Sequence, residues 1–248
     1  MKNSRPIWIV IWLPLALLLM GCLGLMRPIA RTETKDAASF TPIFLVTDTQ
    51  TSPTLTPTPT VAPSATPTLE PLGCLKPPED YTRVEVNGWI LSQRTLAMLA
   101  HAQELYGGEQ EITDYAITQG SYTASESASF GTHSGGGAID LSVLRRDAYT
   151  VLWDDVEPLL RALRTAGFAA WLREPDELYA GSPIHIHAIA IGDQELSTAA
   201  EEQLTGEAGY FRGYSGLSLT VNSVPTPDRY GGPIFCQWMI DLGYRDLR

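Results

Sequence analysis

Basic residues are in short supply in this chain. Its 248 residues include 17 lysines and arginines against 28 aspartates and glutamates, which gives a net charge of −11. Without residues 1–21, which hold Lys2 and Arg5 and no acidic residue, the balance is 15 against 28, or −13. A surface this acidic repels phosphate backbones and argues against nucleic acid as a partner, although it identifies no substrate.

Cysteine is also scarce, and the chain has only Cys22, Cys74 and Cys236. An odd number of cysteines in an exported protein indicates one disulfide pair and one cysteine with another role. A structural zinc site is often closed by several cysteines, so this composition argues against such a site. The evidence for export comes from the N-terminus.

The N-terminus has the pattern of a secretory signal. Lys2 and Arg5 precede the apolar run Ile7–Met20, and a basic start before an apolar centre is typical of such signals. The run ends at Leu19-Met20-Gly21-Cys22, which resembles a bacterial lipobox, although Met20 departs from the small or β-branched residue usual there. The resemblance implies that Cys22 is lipidated and that residues 1–22 are a lipoprotein signal.

The alternative is an uncleaved signal anchor. Apolar character extends over residues 6–26, about 20 residues, which is enough to cross a bilayer. Both interpretations place the rest of the chain on the extracytoplasmic face of a bacterial cell membrane. The predicted compartment therefore does not depend on the kind of anchor.

A linker and one domain are expected to follow. Residues 51–71 read TSPTLTPTPTVAPSATPTLEP, and proline at this density blocks helix and sheet hydrogen bonds. We expect a disordered Thr/Pro-rich linker over 23–72 and a folded domain over 73–248. Cys74 and Cys236 stand near the two ends of that domain, and outside the cytoplasm we expect them to form a disulfide. The alternative is two separate buried thiols.

The domain shows helical and strand patterns without a regular βαβ rhythm, which favours an α+β fold. The predicted helices cover 92–106, 197–210 and a segment that Asp154 or Asp155 caps and that ends near Gly167. The predicted strands cover 112–119, 168–172 and 184–191, and the context of Asp140 is also strand-like.

His185 and His187 are expected to project from one face of the last predicted strand. Side chains at positions i and i+2 point the same way, so Ile186 faces the opposite side. Two imidazoles on one face suit a metal site or an acid–base pair. A pair of surface histidines on an edge strand is the alternative, because His-x-His alone is a weak signal.

His133 and Asp140 form a second pair, seven residues apart and separated by Gly135–Gly137. Glycine permits tight turns and close packing, so this spacing lets the two side chains converge. A flexible loop with an incidental histidine is the alternative for His133. Asp140 lies in the apolar sequence Ala-Ile-Asp-Leu, where a lone carboxylate is costly unless a cation compensates. Two histidines and one carboxylate, with the fourth position open, form a known catalytic zinc site.

The pattern Ser129-x-x-Thr132-His133-x-x-Gly136-Gly137-Ala138-x-Asp140, followed by His-x-His, resembles the zinc D-Ala-D-Ala carboxypeptidase family. That family belongs to the lysostaphin/D-Ala-D-Ala carboxypeptidase/hedgehog superfamily, and the resemblance covers roughly residues 86–195. It implies a small central antiparallel sheet with flanking helices and a zinc-dependent peptidase acting on cell-wall peptidoglycan peptides, as a carboxypeptidase or an endopeptidase.

The resemblance also assigns roles to the site residues. It implies that His133, Asp140 and His187 bind Zn²⁺ and that His185 assists catalysis. Gln119 and Ser121 match the region where the family binds substrate.

One departure concerns the acidic base that many family members carry three residues before the last histidine. Here Ser182 and Ile184 occupy the two possible positions, and neither can act as a base. The nearest acidic residues upstream are expected to be solvated loop charges: Glu174, Asp176 and Glu177. A non-catalytic, possibly zinc-binding, peptidoglycan-binding lipoprotein is therefore the alternative function, and a sensor or scaffold with incidental histidines is a third.

Other residues near the motifs have ordinary explanations. His101 lies on the apolar face of the first predicted helix, which favours a core or boundary histidine with satisfied hydrogen bonds. Tyr122, Trp171 and Tyr179 are candidates for lining a groove, although such aromatic residues are more often part of the core.

Overall fold

The computed structural model describes residues 70–123, 130–219 and 223–248, which belong to a unit that spans Pro63–Arg248. The predicted signal with Cys22, the linker up to residue 69 and Ser129 lie outside the described residues. Within the described ranges, no helix combines the length and the apolar character needed to cross a bilayer.

The described chain contains a hairpin, a central four-stranded sheet and helices, so the predicted α+β class is confirmed. The strands are β1 (Arg83–Val86), β2 (Trp89–Ser92), β3 (Ile117–Gln119), β4 (Ala138–Ser142), β5 (Phe168–Arg173) and β6 (His185–Ala190). The helices are α1 (Gln93–Tyr106), α2 (Trp153–Thr165), α3 (Thr198–Thr205) and α4 (Gln237–Asp241). The central sheet has the order β3-β4-β6-β5 and every neighbouring pair is antiparallel.

The two faces of this sheet pack differently. On one face, alternate residues of β4, β5 and β6 are apolar and pack with α1 and α2 in a continuous core. On the other face, only one end of the strands is covered, by α3, the 3₁₀ turn Tyr210–Arg212 and α4. The uncovered end of that second face carries the polar side chains of β4 and β6. The sheet therefore has one fully buried face and one face that is shared between a core and a cavity.

Helix α1 matches the predicted helix over 92–106 closely. The Ser92 side chain accepts a hydrogen bond from the Thr95 backbone N–H and caps the helix, and Gly107 ends it in the left-handed conformation. Met98, Leu99 and Ala102 are buried on one face, as helical periodicity requires.

Three predicted boundaries differ from the structure. The strand predicted over 112–119 is formed only from residue 117, and turns occupy most of the preceding residues. The helix predicted over 197–210 ends at Thr205, because Gly206 follows with extended backbone. Asp154 and Asp155 do not cap α2; they lie inside its first turn, where acidic side chains interact favourably with the helix dipole.

The predicted disulfide is confirmed. Cys74 and Cys236 are bonded across a sequence separation of 162 residues. Cys236 is fully buried against the core that includes α3 and α4. The bond thus joins the start of the described domain to its last helix.

Candidate metal centre

The register of the sheet brings the predicted residues together. Asp140 on β4 lies opposite His187 on β6, while Gln119 on β3 lies opposite Asp140. Trp171 on β5 lies opposite His187, and its ring stacks on that imidazole with centroids 6.1 Å apart. One row of residues across four strands therefore shares a single face of the sheet.

A second row lies two residues further along the same face. His185 on β6 is opposite both Ser142 on β4 and Arg173 on β5. Ile186, between the two histidines of β6, packs in the core on the other face. The alternation predicted for His-x-His is thus present in the structure.

His133 reaches this face from a 3₁₀ turn, Thr132–Ser134, that precedes β4. The glycines after the turn lie directly against the chain that follows β6, where the Gly136 N–H donates to the Glu195 carbonyl at 2.6 Å. A Cβ atom on Gly135 would lie only 2.3 Å from that same carbonyl oxygen. Glycine is needed because no side chain fits between these two backbone segments.

Three potential ligand atoms meet above the sheet. His187 Nδ1 lies 2.7 Å from Asp140 Oδ1, and His133 Nε2 lies 3.3 Å from both of these atoms. Tetrahedral zinc with nitrogen and oxygen ligands at about 2.1 Å separates its ligand atoms by about 3.4 Å. The three atoms are therefore spaced like three ligands of one small divalent ion.

Hydrogen bonds on the far side of each ring fix which nitrogen faces the group. His133 Nδ1 donates to the Gly120 carbonyl at 2.9 Å, which leaves the lone pair on Nε2. His187 Nε2 donates to Gln203 Oε1 at 3.0 Å, which leaves the lone pair on Nδ1. Two lone pairs and a carboxylate oxygen then converge and repel one another unless a cation lies among them. Such outer hydrogen bonds are typical of histidines that bind metal.

The electrostatics of the group agree with a site for a cation. Burial opposes ionisation of Asp140, but the charges of His133 and His187 and their hydrogen bonds lower its pKa strongly. Burial would also lower the pKa of His133, yet the charge and hydrogen bond of Asp140 outweigh burial and raise it. Burial lowers the pKa of His187 to about 4, so this ring stays neutral near pH 7. The site holds an ionised carboxylate away from solvent beside a neutral imidazole.

His185 is adjacent to this group without joining it. Its Nδ1 donates to the Pro183 carbonyl at 2.8 Å, and its Nε2 lies 3.8 Å from Asp140 Oδ2. The ring is mostly buried, with Nε2 bearing the lone pair. His185 is thus placed to exchange a proton with a molecule held at the three ligand atoms.

All four of these residues line one cavity of about 230 Å³. Gln119, which was expected to bind substrate, lines the cavity too. Ser121 does not line it; its buried hydroxyl donates to the Ala138 carbonyl, which gives this residue a structural role instead. The structure thus places Ser121, which was expected to contact substrate, outside the cavity lining and hydrogen-bonded to strand β4.

Of the three aromatic residues considered for lining a groove, one lines the cavity and two do not. Tyr179 lines the cavity, whereas Trp171 is buried beneath His187 and donates from its indole nitrogen to the Tyr214 carbonyl. Tyr122 lies outside the cavity lining and donates its hydroxyl hydrogen to Glu195, with the guanidinium of Arg83 over its ring. Only Tyr179 is placed to contact a bound molecule.

The acidic residues upstream of β6 have partners outside the cavity. Glu174 pairs with Arg229 at 3.1 Å, and Glu177 accepts a hydrogen bond from the Glu174 backbone. Asp176 accepts from the Gly181 backbone N–H. Among the cavity-lining residues that the structure describes, Asp140 is the only carboxylate.

The fourth histidine lies away from this cavity. His101 on α1 is half-buried, and its Nε2 is 2.7 Å from the Gly73 carbonyl oxygen. It is a boundary residue with a satisfied hydrogen bond, in agreement with its position in the sequence. One further group of potential ligands includes Cys74 and Cys236, but these sulfurs are bonded to each other.

Two residues that line the cavity have little or no local signal in the sequence. Gln203 is a polar residue of α3, and only the packing of that helix over the sheet brings it to His187. Arg173 follows the apolar residues of β5, and a charge directly after a predicted buried strand was the only signal for it. Both residues line the cavity.

The described residues thus form a candidate metal centre of His133, Asp140 and His187 with an adjacent imidazole. Comparison of the chain with protein-family models, with curated proteins and with solved structures found no match. The chemistry of these side chains is compatible with a catalytic ion whose remaining coordination faces the cavity.

Proposed function

We propose that this chain is an extracytoplasmic zinc peptidase that acts on the peptides of cell-wall peptidoglycan, in the manner of the zinc D-Ala-D-Ala carboxypeptidase family. The observation that carries the proposal is the convergence of His133 Nε2, Asp140 Oδ1 and His187 Nδ1 within 3.3 Å of one another. The ligand order along the chain and the neighbouring His185 support the same assignment.

His133, Asp140 and His187 would hold the metal. When bound, Zn²⁺ supplies Lewis-acid chemistry, which polarises a carbonyl group and makes water a nucleophile near neutral pH. Gly120 and Gln203 orient the two imidazoles through their outer nitrogens. The buried position of the ligands on the sheet keeps their geometry rigid, so little reorganisation is needed when substrate binds.

His185 serves as the acid–base group. With Nδ1 bonded to the Pro183 carbonyl, Nε2 accepts a proton from the attacking water and returns it to the leaving amine. Asp140 Oδ2 lies 3.8 Å from this Nε2, so the nitrogen is next to the group of candidate metal ligands. Gln119 lines the cavity and is positioned to bind the substrate backbone through its amide.

The location of the domain follows from the N-terminal sequence. Either lipidation at Cys22 or an uncleaved anchor would attach the protein to the cell membrane, and the Thr/Pro-rich segment would separate the domain from the lipid surface. Peptidoglycan lies within reach of a domain tethered in this way. The disulfide between Cys74 and Cys236 agrees with an oxidising compartment.

Purified peptidoglycan and defined stem peptides test the proposal. Incubation with the zinc-loaded protein is expected to release new amino and carboxyl termini. His185→Ala is expected to keep its zinc and to lose about 10²- to 10⁴-fold in turnover, because only the proton transfer is removed. His101→Ala is the matched control, since this histidine lies outside the cavity. Equal turnover in the two variants would exclude His185 as the acid–base group.

A non-catalytic peptidoglycan-binding lipoprotein is the second candidate. It is favoured by one observation, namely that Asp140 is the only carboxylate among the described residues of the cavity wall. Under this alternative the protein sediments with peptidoglycan, and no new termini form even when one zinc ion is bound per chain.

A further inference from the structure

Three arginines are almost completely buried, each about 2% exposed. Arg94 donates from both terminal amines, Nη1 to the Pro78 carbonyl and Nη2 to the Ile191 carbonyl. Arg164 also donates from both terminal amines, Nη1 to the Gly232 carbonyl and Nη2 to the Asp228 carboxylate at 2.7 Å. Arg173 donates from Nη1 to the Ser215 carbonyl at 2.8 Å, but its buried Nη2 has no hydrogen-bond partner among the described residues. The buried Nε of Arg94 also lacks a partner among the described residues, but Arg173 is the one of the three whose terminal amine has none.

Arg173 is also the one of these three that lines the cavity of the candidate metal centre. It ends β5 opposite His185, on the same face of the sheet. In the described part of the chain, no carboxylate lies within 4.0 Å of its guanidinium. Burial lowers its pKa to about 10, which still leaves it charged at neutral pH. A buried cation without a paired anion is costly, and a bound anion would compensate for this cost.

We propose that Arg173 binds a carboxylate of the peptide in this cavity, so that the protein selects peptides with a free C-terminal carboxylate. A guanidinium offers donors in a planar arrangement that matches a carboxylate. This inference rests on the proposed function. Of the two activities left open, carboxypeptidase and endopeptidase, it selects the carboxypeptidase. Because Nη2 is shielded from water, a carboxylate reaches it only when a side chain of the cavity wall moves aside.

The test compares a stem peptide ending in D-Ala-D-Ala with the same peptide as its C-terminal amide. Both kcat/KM and the Kd from calorimetry are measured on the zinc-loaded protein. The free acid is expected to be preferred by about 10- to 150-fold, the range for a hydrogen bond to a charged group. Arg173→Gln is expected to abolish the preference, and Arg173→Lys to retain part of it.

Arg229→Gln is the control, because this exposed arginine pairs with Glu174 in the loop and is outside the cavity wall. Circular dichroism and zinc content identify the variants that have folded. If Arg173→Gln does not fold, the preference for the free acid is measured on Arg173→Lys instead. An acid preference that persists in the folded Arg173 variants contradicts the inference.

The failure of the inference is distinguishable from the failure of the proposed function. Equal hydrolysis of acid and amide overturns the role of Arg173 and leaves a peptidase. Selective binding of the acid without hydrolysis, lost on replacing Arg173, supports the carboxylate site and contradicts the peptidase. If neither peptide is bound or cut, both proposals are wrong.

Discussion

At the scale of single residues, the hydrogen bonds behind the two imidazoles decide what the site can hold. The Gly120 carbonyl and the Gln203 side chain each accept a hydrogen from the outer nitrogen of a histidine. The inner nitrogens of His133 and His187 therefore present lone pairs toward Asp140. A site arranged in this way is ready for a divalent ion without any change of tautomer.

Gln203→Ala tests this account of the histidine orientation. Loss of the 3.0 Å contact frees the ring of His187, so zinc affinity is expected to fall by about 10- to 100-fold. Competition with a chromophoric chelator measures the affinity. Glu201→Ala, on the exposed face of the same helix, controls for general effects on α3 and is expected to leave it unchanged. An affinity that Gln203→Ala does not alter would show that the amide has no role in orienting the ring.

The sequence predicts the candidate ligands better than it predicts the residues around them. The glycine run predicts that His133 and Asp140 converge. Strand alternation places His187 on one face with His185, and only the family resemblance selects His187 as the ligand. Gln203 is not predicted, because its contact depends on where α3 packs over the sheet. For Ser121 the family resemblance implied a substrate contact, whereas the structure shows its hydroxyl donating to the Ala138 carbonyl outside the cavity lining.

At the scale of elements, the turn before β4 and the chain after β6 must lie in direct contact for His133 to reach the sheet. The contact is made through backbone atoms, with the Gly136 N–H donating to the Glu195 carbonyl. The turn that carries His133 and the segment that leads from β6 to α3 are thereby fixed to each other. The position of His133, one of the three candidate metal ligands, depends on this contact.

Gly135→Ala is expected to separate these two segments. Its Cβ would lie 2.3 Å from the Glu195 carbonyl oxygen and 2.5 Å from the Ser197 backbone nitrogen, and neither can yield without moving the chain. We expect a loss of about 1–3 kcal/mol in the free energy of unfolding together with weaker zinc binding. Denaturant unfolding and zinc titration measure the two effects.

Gly243→Ala is the companion variant. Gly243 has a φ of 94°, and a Cβ atom at this position would meet no other atom within 4 Å, so alanine there introduces backbone strain without a clash. Its cost is expected to be about 1–2 kcal/mol, with zinc affinity unaffected. If Gly135→Ala binds zinc as tightly as Gly243→Ala does, the packing of the turn does not position His133.

Sequence periodicity predicts some of the helices and strands and fails to predict others. Helix α1 carries a serine N-cap and a glycine C-cap, and both ends are predicted from these residues. The strand predicted over 112–119 is mostly turn, because alternation over a few residues does not distinguish a strand from a structured loop. The hairpin of β1 and β2 and the short helix α4 are too brief to give a periodic signal.

At the scale of the whole molecule, the disulfide closes a loop of most of the domain. Replacing both Cys74 and Cys236 by serine is expected to reduce the free energy of unfolding by about 2–5 kcal/mol, since the unfolded chain gains conformational freedom. Denaturant unfolding of the oxidised protein and of the double variant measures the difference. Zinc content is expected to remain equal in the two proteins, because neither sulfur lies in the cavity wall.

Two results would contradict the expected effects of removing the disulfide. If the double variant unfolds at the same denaturant concentration, the bond does not contribute to stability. If it loses zinc while still folded, the disulfide supports the metal site directly.

The central claim is that three side chains from separate parts of the chain bind one divalent ion. Anomalous diffraction at the zinc edge, from crystals of the zinc-loaded protein, tests it most directly. The account predicts one peak about 2.0–2.2 Å from His133 Nε2, Asp140 Oδ1 and His187 Nδ1. A peak elsewhere, or no peak among these three atoms when zinc is in excess, would contradict it.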